Sequence, residues 1–143
     1  MRQTTCSIKR EVDVYVSMSR ARDLARTIGF NEVDRTRIEI VVLELTRNLL
    51  VHAGGGSIRL SHLDDPTYGP GMAIEAIDEG PGIPDVELAM QDGWSTARTL
   101  GAGLPGVRRL MDQFSIDSTV GVGTTVRAVK WLKPPQRRSI YGS

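Results

Sequence analysis

The sequence is poor in the residues that mark several large protein classes. Of its 143 residues one is cysteine and 5% are aromatic, and the charges nearly cancel, to a formal net charge of +1. The lone cysteine, Cys6, excludes an intrachain disulfide and fits a reducing compartment. The near-neutral charge argues against a nucleic-acid partner. No apolar run approaches the roughly 18–20 residues of a membrane span and no N-terminal segment resembles a signal peptide, so we expect a soluble, cytoplasmic protein.

The length fits one domain with its own core and is too short for two ordinary domains. We place that domain at residues 1–133. The C-terminal end is locally basic, and we expect residues 134–143 to be a solvated, flexible tail. The basic residues of this end are Lys130, Lys133, Arg137 and Arg138.

Hydrophobic periodicity predicts the elements of the N-terminal half. Residues 7–16 are predicted as a half-buried strand, because valines alternate with other residues at Val12, Val14 and Val16. A helix over residues 21–28 is closed by Gly29. Asn31 is placed to cap a second helix that runs to about Ala53 and stops at a run of three glycines. Its apolar positions follow helical spacing: Ile38, Val41, Val42, Leu45 and Leu49.

The C-terminal half is predicted to contain four strands and a long glycine-rich loop. The strands are expected at residues 57–62, 72–78, 114–119 and 124–131, the last two as a hairpin. The loop is expected at residues 79–103, with a short helix at 85–90 inside it and another helix at 104–111 after it. A loop of this length in a compact domain is usually functional or mobile. This order predicts a two-layer α/β sandwich in which a mixed sheet carries helices on one face.

Glu44 and Asn48 lie four residues apart, so they share one face of the second predicted helix. An asparagine carbonyl oxygen together with phosphate oxygens suits Mg²⁺, a hard ion that keeps several waters. The Glu44 carboxylate can orient or deprotonate a hydroxyl group or water that attacks a γ-phosphate. The alternative is an exposed helix ion pair between Glu44 and Arg47 or Arg37.

Asp78 ends an apolar strand and precedes Gly80 and Gly82. A carboxylate there can accept a hydrogen bond from an exocyclic amine, and glycines let the backbone approach a flat base closely. Adenine offers that amine, whereas guanine presents a carbonyl. Either Thr124 or Thr125, at the start of the last strand, is placed to support this contact. The alternatives are an ordinary turn and an ordinary strand opening.

Gly101, Gly103 and Gly106 flank Leu104 and Pro105. Proline is favoured at the first helical position, and the free N–H groups of a helix start suit phosphate. The segment lacks the Gly-Lys-Ser/Thr of a Walker loop and does not open a Rossmann unit. It therefore predicts a phosphate site of another kind.

Together and in this order, these motifs resemble the GHKL superfamily of ATPases and kinases. Residues 44–48 (Glu-Leu-Thr-Arg-Asn) resemble its N box, 78–82 (Asp-Glu-Gly-Pro-Gly) its G1 box, 101–106 its G2 box and 123–125 its last box. The resemblance covers about residues 7–131. The length leaves no room for a phospho-accepting dimerisation helix or a transducer domain, so the chain is similar to the stand-alone anti-sigma-factor serine kinases, above all to the stressosome switch kinases.

The resemblance implies a Bergerat-type ATP-binding fold, with ATP and Mg²⁺ as cofactors and phosphoryl transfer to serine or threonine. It implies STAS-domain proteins as substrates and a PP2C-type phosphatase that is activated by direct binding. Glu44 would be the base, Asn48 the Mg²⁺ ligand, and Asp78 the adenine contact. The remaining site positions that it implies are Gly80, Gly82, Gly101, Gly103, Leu104, Gly106, and Thr124 or Thr125.

Two other functions remain open at this stage. One is a direct anti-sigma factor that binds a sigma factor and phosphorylates its antagonist. The other is a non-catalytic binding module that uses nucleotide as a structural ligand. The pair Glu44 and Asn48 argues against the binding module, because a module of that kind needs no base beside a metal ligand.

Overall fold

A computed structural model describes residues 2–86, 90 and 103–133. The helix predicted at 85–90 is only partly covered, and the tail predicted at 134–143 lies outside the described residues. The described elements, in chain order, are β1 (Gln3–Ile8), α1 (Glu11–Ile28), α2 (Glu32–Ala53), β2 (Gly56–Asp65), β3 (Gly69–Asp78), α3 (Gly103–Leu110), β4 (Gln113–Thr119) and β5 (Gly123–Trp131).

The five described strands form one sheet in the order β1-β2-β3-β5-β4, and each of its pairings is antiparallel. The two-layer prediction is confirmed, but the prediction of a mixed sheet is wrong. Between β1 and β2 the chain passes through two antiparallel helices and returns to the sheet end that it left, so β2 runs back along β1. The strands that flank α3 run in the same direction, but β5 lies between them.

The core lies between the helices and one face of the sheet. Because side chains alternate along a strand, every second residue of the central strands faces α1 and α2. The buried residues of this inner face are Ile58, Leu60, Met72, Ile74, Ala76, Val126 and Ala128. Burying a large apolar side chain contributes about 1.5–3 kcal/mol, so this face makes a large contribution to the stability of the fold.

The outer face carries a smaller apolar cluster among charged residues. Arg59 and Glu75 form an ion pair there at 3.7 Å. The ring of Tyr68 stacks on Trp131 with 5.0 Å between centroids. The outer face is therefore only partly covered.

The strand predicted at residues 7–16 is wrong, because a helix begins at Glu11. The Asp13 carboxylate accepts hydrogen bonds from the backbone N–H groups of Lys9 and Arg10, both at 2.9 Å. These bonds satisfy donors that precede the first turn and begin α1 ten residues earlier than predicted. The three valines then distribute around a helix: Val14 is fully buried, whereas Val12 and Val16 are exposed.

The predictions for α2 and for the later strands are confirmed. Asn31 Oδ1 accepts from the Asp34 N–H at 2.8 Å, and Gly54 ends the helix with φ of 72°. Strands β2 and β3 are longer than predicted, and in the turn between them Asp65 Oδ2 accepts from the Thr67 and Tyr68 N–H groups. No helix in the described part of the chain is long and apolar enough to cross a membrane.

Lys130 is not part of a solvated basic end. Its side chain points to the inner face and is 5% exposed. The ammonium group donates to the Leu110 carbonyl at 3.5 Å and lies 3.7 Å from Asp34 Oδ1. A cation is favourable at a helix C-terminus, so Lys130 holds the end of α3 against the start of α2.

Candidate active site

Glu44 is a buried residue of α2, with 0% of its surface exposed. The predicted alternative, an exposed ion pair with Arg47 or Arg37, is therefore wrong. Arg47 Nη2 lies 3.2 Å from Glu11 Oε1, and Arg37 Nη1 lies 3.2 Å from Asp34 Oδ1. A buried carboxylate costs free energy unless its surroundings compensate, and the burial places Glu44 within the core rather than on the exposed face of α2.

Asn48 lies one helical turn after Glu44 on α2 and is half-buried. In the part of the chain that the structure describes, no group of three or more His, Cys, Asp or Glu side chains is placed to hold a metal ion. The amide oxygen of Asn48 is a donor of the kind that a hard cation binds together with phosphate and water oxygens.

Asp78 ends β3 on the inner face of the sheet. Its Oδ1 accepts from the Gly80 N–H at 2.8 Å. This hydrogen bond closes a turn and fixes the orientation of the carboxylate. Its Oδ2 has no hydrogen-bond partner among the described residues. The second oxygen can therefore accept from an amine that enters the site.

The two candidate threonines lie on opposite faces of β5. Thr124 is the cross-strand partner of Asp78 and is 7% exposed, whereas Thr125 is the partner of Ile77 on the outer face. Gly123 makes this approach possible, because a Cβ at that position would collide with the Asp78 carbonyl oxygen. Thr124 thus lies beside Asp78, and Thr125 does not.

The loop after Asp78 is held on two sides. A Cβ at Gly80 would lie 2.9 Å from the Ala53 Cβ at the end of α2. A Cβ at Gly82 would lie 2.6 Å from the Thr119 carbonyl oxygen, and φ there is 80°. The Pro81 carbonyl accepts from the Gly121 N–H at 2.9 Å. Both predicted glycines are needed for close backbone approach, as expected for a loop that walls a pocket.

Ser118 belongs to this site although the sequence motifs did not include it. It lies opposite Thr124 on β4, and the two hydroxyl oxygens are 2.8 Å apart. It also accepts from the Ile83 N–H at 2.7 Å. The alternation of Phe114, Ile116 and Ser118 is a signal that places Ser118 on the inner face, but only the strand order brings it to Asp78.

The second glycine segment is partly described. Gly101 lies outside the described residues. Gly103 begins α3 with φ of 75°, and it is buried together with Leu104 and Gly106. The helix packs against α2. Arg108 and Arg109, in the last turn of this helix, are exposed.

These positions lie along α2 in a fixed order. Ala53 contacts the loop beside Asp78, and Asn48 and Glu44 precede Ala53 by five and nine residues. At about 1.5 Å per residue, Asn48 lies about 7.5 Å and Glu44 about 13.5 Å further along the axis. A base at Asp78 would thus have its phosphates near Asn48 and its terminal phosphate toward Glu44.

Comparisons with known proteins show which family the chain matches. Residues 9–130 match the family described as histidine kinase-like ATPase domain. The serine/threonine-protein kinase RsbT of Bacillus subtilis (strain 168) is 44% identical over 131 residues, which cover 92% of this chain and 98% of the relative. An anti-sigma F factor of Thermoanaerobacter sp. (strain X514) is 33% identical over 129 residues, covering 82% and 90%.

Solved structures show the same fold at lower identity. The crystal structure of the RsbU and RsbW domains of a Mycobacterium tuberculosis protein superposes with a TM-score of 0.65 at 16% identity, covering 96% of this chain and 34% of that one. The histidine kinase domain of the Erythrobacter litoralis EL346 blue-light activated histidine kinase gives 0.51 at 21% identity, covering 83% and 61%. The predictions of a GHKL-type fold and of a serine/threonine kinase that acts in partner switching are confirmed. The chain belongs to the family of histidine kinase-like ATPase domains.

Proposed function

We propose that this kinase transfers the γ-phosphoryl group of ATP to a serine or threonine of small STAS-domain proteins, and that it binds and activates a PP2C-type phosphatase. The observation that carries the proposal is the order of groups along α2: Ala53 beside the Asp78 loop, then Asn48, then the buried Glu44. The 44% identity to a serine/threonine-protein kinase supports the same chemistry.

Asp78 and Thr124 would hold the adenine base. The free Oδ2 of Asp78 accepts from the exocyclic amine, and Gly80 and Gly82 allow the loop to lie close to the ring. Guanine would bring its carbonyl oxygen against the Asp78 carboxylate. The site would therefore favour ATP over GTP.

Mg²⁺ fits the donors that this chain offers. Asn48 would hold the ion through its amide oxygen, and the remaining coordination positions suit phosphate and water oxygens. When bound, Mg²⁺ neutralises charge on the phosphate groups. Asn48 itself orients the phosphate end of the nucleotide along α2.

Glu44 would act as the general base. Its burial keeps bulk water from the carboxylate, and a low local dielectric strengthens its interaction with a hydroxyl proton. It would receive the proton of the acceptor serine or threonine. Glu44 also orients that hydroxyl group, so positioning and proton removal come from one side chain.

The start of α3 would cover the phosphates. Gly103, Leu104 and Gly106 bring this turn close to α2, where helix N–H groups can donate to phosphate oxygens. Gly101 is proposed to belong to the same phosphate contact. Lys130 would support it indirectly by fixing the other end of α3.

The cytoplasm is the proposed location. The single cysteine, Cys6, is free and buried, as suits a reducing compartment.

A direct anti-sigma factor is the second candidate function. The 33% identity to an anti-sigma F factor favours it, over a similar share of the chain. Pull-down with a sigma factor and with a PP2C-type phosphatase, each at equal concentration, separates the two functions. Retention of the phosphatase alone supports the first proposal, and retention of the sigma factor alone supports the second.

Phosphoryl transfer itself is tested with labelled ATP, Mg²⁺ and a purified STAS-domain protein, followed by mapping of the label. We expect the label on one serine or threonine of that protein. The matched control is Glu44→Gln, which keeps the side-chain shape. A labelled partner with equal yield from both proteins would remove Glu44 from the mechanism, and ATP binding without transfer to any STAS-domain protein would contradict the proposed substrate class.

A further inference from the structure

A short chain of hydrogen bonds links the loop after Asp78 to Thr124. The Ile83 N–H donates to Ser118 Oγ at 2.7 Å. Ser118 Oγ lies 2.8 Å from Thr124 Oγ1. Ser118 lies outside the four predicted motifs, so it is not explained by them.

The first hydrogen bond of this series has a donor that is fixed by its chemistry. A backbone N–H can only donate, so Ser118 must accept from Ile83. The single proton of Ser118 has two acceptors, Thr124 Oγ1 at 2.8 Å and the Gly123 carbonyl at 3.4 Å. Hydroxyl hydrogen bonds normally span about 2.5–3.0 Å, so Thr124 Oγ1 is the better placed of the two acceptors, and the 2.8 Å contact allows either hydroxyl to be its donor.

When Ser118 is the donor of that bond, the Thr124 hydroxyl keeps its own proton for the site. Among the described residues no hydrogen bond joins this hydroxyl to the Asp78 carboxylate, although the two residues are cross-strand partners. The pair therefore presents a donor, Thr124, next to an acceptor, Asp78 Oδ2. A base edge that matches this pair has an acceptor nitrogen beside an amino group, as N1 and the 6-amino group of adenine do.

We propose that Ser118 is a positioning residue for adenine recognition: it accepts from Ile83 and donates to Thr124, so that Thr124 donates to N1 of adenine. The inference rests on the proposed nucleotide site and adds a residue that determines base selectivity. Hypoxanthine and guanine reverse both positions, with N1–H and a 6-carbonyl. Neither base offers an acceptor to the Thr124 proton, and both bring a carbonyl oxygen toward the Asp78 carboxylate.

The test measures, by calorimetry, the dissociation constants of two nucleotides for each of four proteins. The probes are ATP and 1-deaza-ATP, which differ only in the N1 acceptor and leave the Asp78 contact unchanged. The proteins are the wild type, Ser118→Ala, Ser118→Thr and the control Ser115→Ala. Ser115 is an exposed serine of the same strand that faces outward opposite Arg127.

We expect the wild type to bind ATP about three- to tenfold more tightly than 1-deaza-ATP, the range for one neutral hydrogen bond. Ser118→Ala brings the ratio close to one, because ATP binding weakens and 1-deaza-ATP binding does not. Ser118→Thr restores the ratio, and Ser115→Ala leaves it unchanged. Because the effect of Ser118→Ala is compared between nucleotides with and without N1, the comparison separates the Thr124–N1 contact from any general loss of stability.

Equal weakening of both nucleotides by Ser118→Ala would overturn the inference, since Ser118 would then act only by holding the loop. A wild-type ratio of one would overturn it without any variant, even if Ser118→Ala does not fold. If the wild type binds ATP and 1-deaza-ATP equally well, the proposed nucleotide site is retained and only the role of Ser118 is wrong. If the wild type binds neither nucleotide, the proposed function fails as well.

Discussion

Asp78 and Thr124 are direct cross-strand partners on the inner face of the sheet, where β3 ends and β5 begins. Their side chains share the face that also carries Ala76 and Val126, so both point toward the helix layer. One Asp78 oxygen is taken by the Gly80 N–H, and the other is open to the site. The pair forms the proposed base-recognition end of the nucleotide site.

Asp78→Asn should weaken ATP binding by about 10- to 100-fold, since a hydrogen bond to a charged group contributes about 1.5–3 kcal/mol. The dissociation constant for ATP, measured by calorimetry, checks this. Asp117→Asn is the matched control, because Asp117 is an exposed carboxylate on the outward side of β4. Unchanged ATP affinity in Asp78→Asn would remove Asp78 from the site.

Thr124→Val and Thr125→Val form a pair that decides between the two threonines. Valine preserves shape and strand preference, so only the hydroxyl group is lost. Thr124→Val should weaken ATP binding about fivefold, the value of one neutral hydrogen bond of about 1 kcal/mol. Thr125→Val should bind ATP like the wild type, because Thr125 faces outward opposite Ile77. The reverse pattern would show that the β3–β5 register differs from the one described.

The sequence predicts local features of this fold better than long-range ones. Asn31 as a cap, Gly54 as a stop and the period of α2 are all local signals, and the structure has them. The predicted strand at 7–16 failed because three alternate valines fit a helix as well as a strand. The hydrogen bonds from the Lys9 and Arg10 N–H groups to Asp13 favour the helix. The alternation of apolar residues in the sequence cannot predict these bonds.

For the site, the motifs identify Asp78 and the glycines, but not which threonine faces Asp78 or that Ser118 joins them. Both facts follow from the insertion of β5 between β3 and β4, a long-range pairing that periodicity cannot predict. The burial of Glu44 was missed for a similar reason. Helical spacing marks the core stripe, but packing by α1 and α3 decides how wide the buried face of α2 becomes.

Glu44→Gln should keep ATP binding and reduce phosphoryl transfer at least about 100-fold, the lower end for loss of a general base. Glutamine conserves the buried shape, so the melting temperature should not fall. The measurements are single-turnover transfer to a STAS-domain protein and the dissociation constant for ATP. Glu39→Gln, on the same helix and 3.8 Å from Arg22 in the wild type, should transfer normally. Comparable transfer by both variants would contradict the assigned role of Glu44.

Asp13→Asn should reduce stability in a pH-dependent way. Hydrogen bonds from the backbone N–H groups of Lys9 and Arg10 lower the pKa of Asp13 below its ordinary value of 3.8. A pKa that is lower in the folded state stabilises the fold above the unfolded pKa, and that stability is lost as pH falls through the folded value. The urea midpoint of Asp13→Asn should therefore be below that of the wild type at pH 7, and the gap should narrow below about pH 4.

Asp23→Asn is the control for that titration, since the Asp23 side chain is 73% exposed and, among the described residues, its carboxylate pairs only with Arg26, at 4.0 Å. Its midpoint should follow the wild type at every pH. A gap for Asp13→Asn that is constant from pH 7 to pH 3 would show that the carboxylate charge does not stabilise the start of α1.

Gly82→Ala and Gly121→Ala separate backbone strain from close packing. Both glycines have φ of 80°, so alanine at either position costs about 1–2 kcal/mol of left-handed strain. A Cβ at Gly121 meets nothing within 4 Å, whereas one at Gly82 lies 2.6 Å from the Thr119 carbonyl oxygen. Gly82→Ala must therefore also push the loop away from the β4–β5 turn and lengthen the bond between the Ile83 N–H and Ser118.

We expect Gly82→Ala to lose more stability than Gly121→Ala in urea titrations, and to bind ATP more weakly. Equal losses of stability with equal ATP affinity would mean that the loop tolerates displacement and that its packing against the turn does not shape the base site.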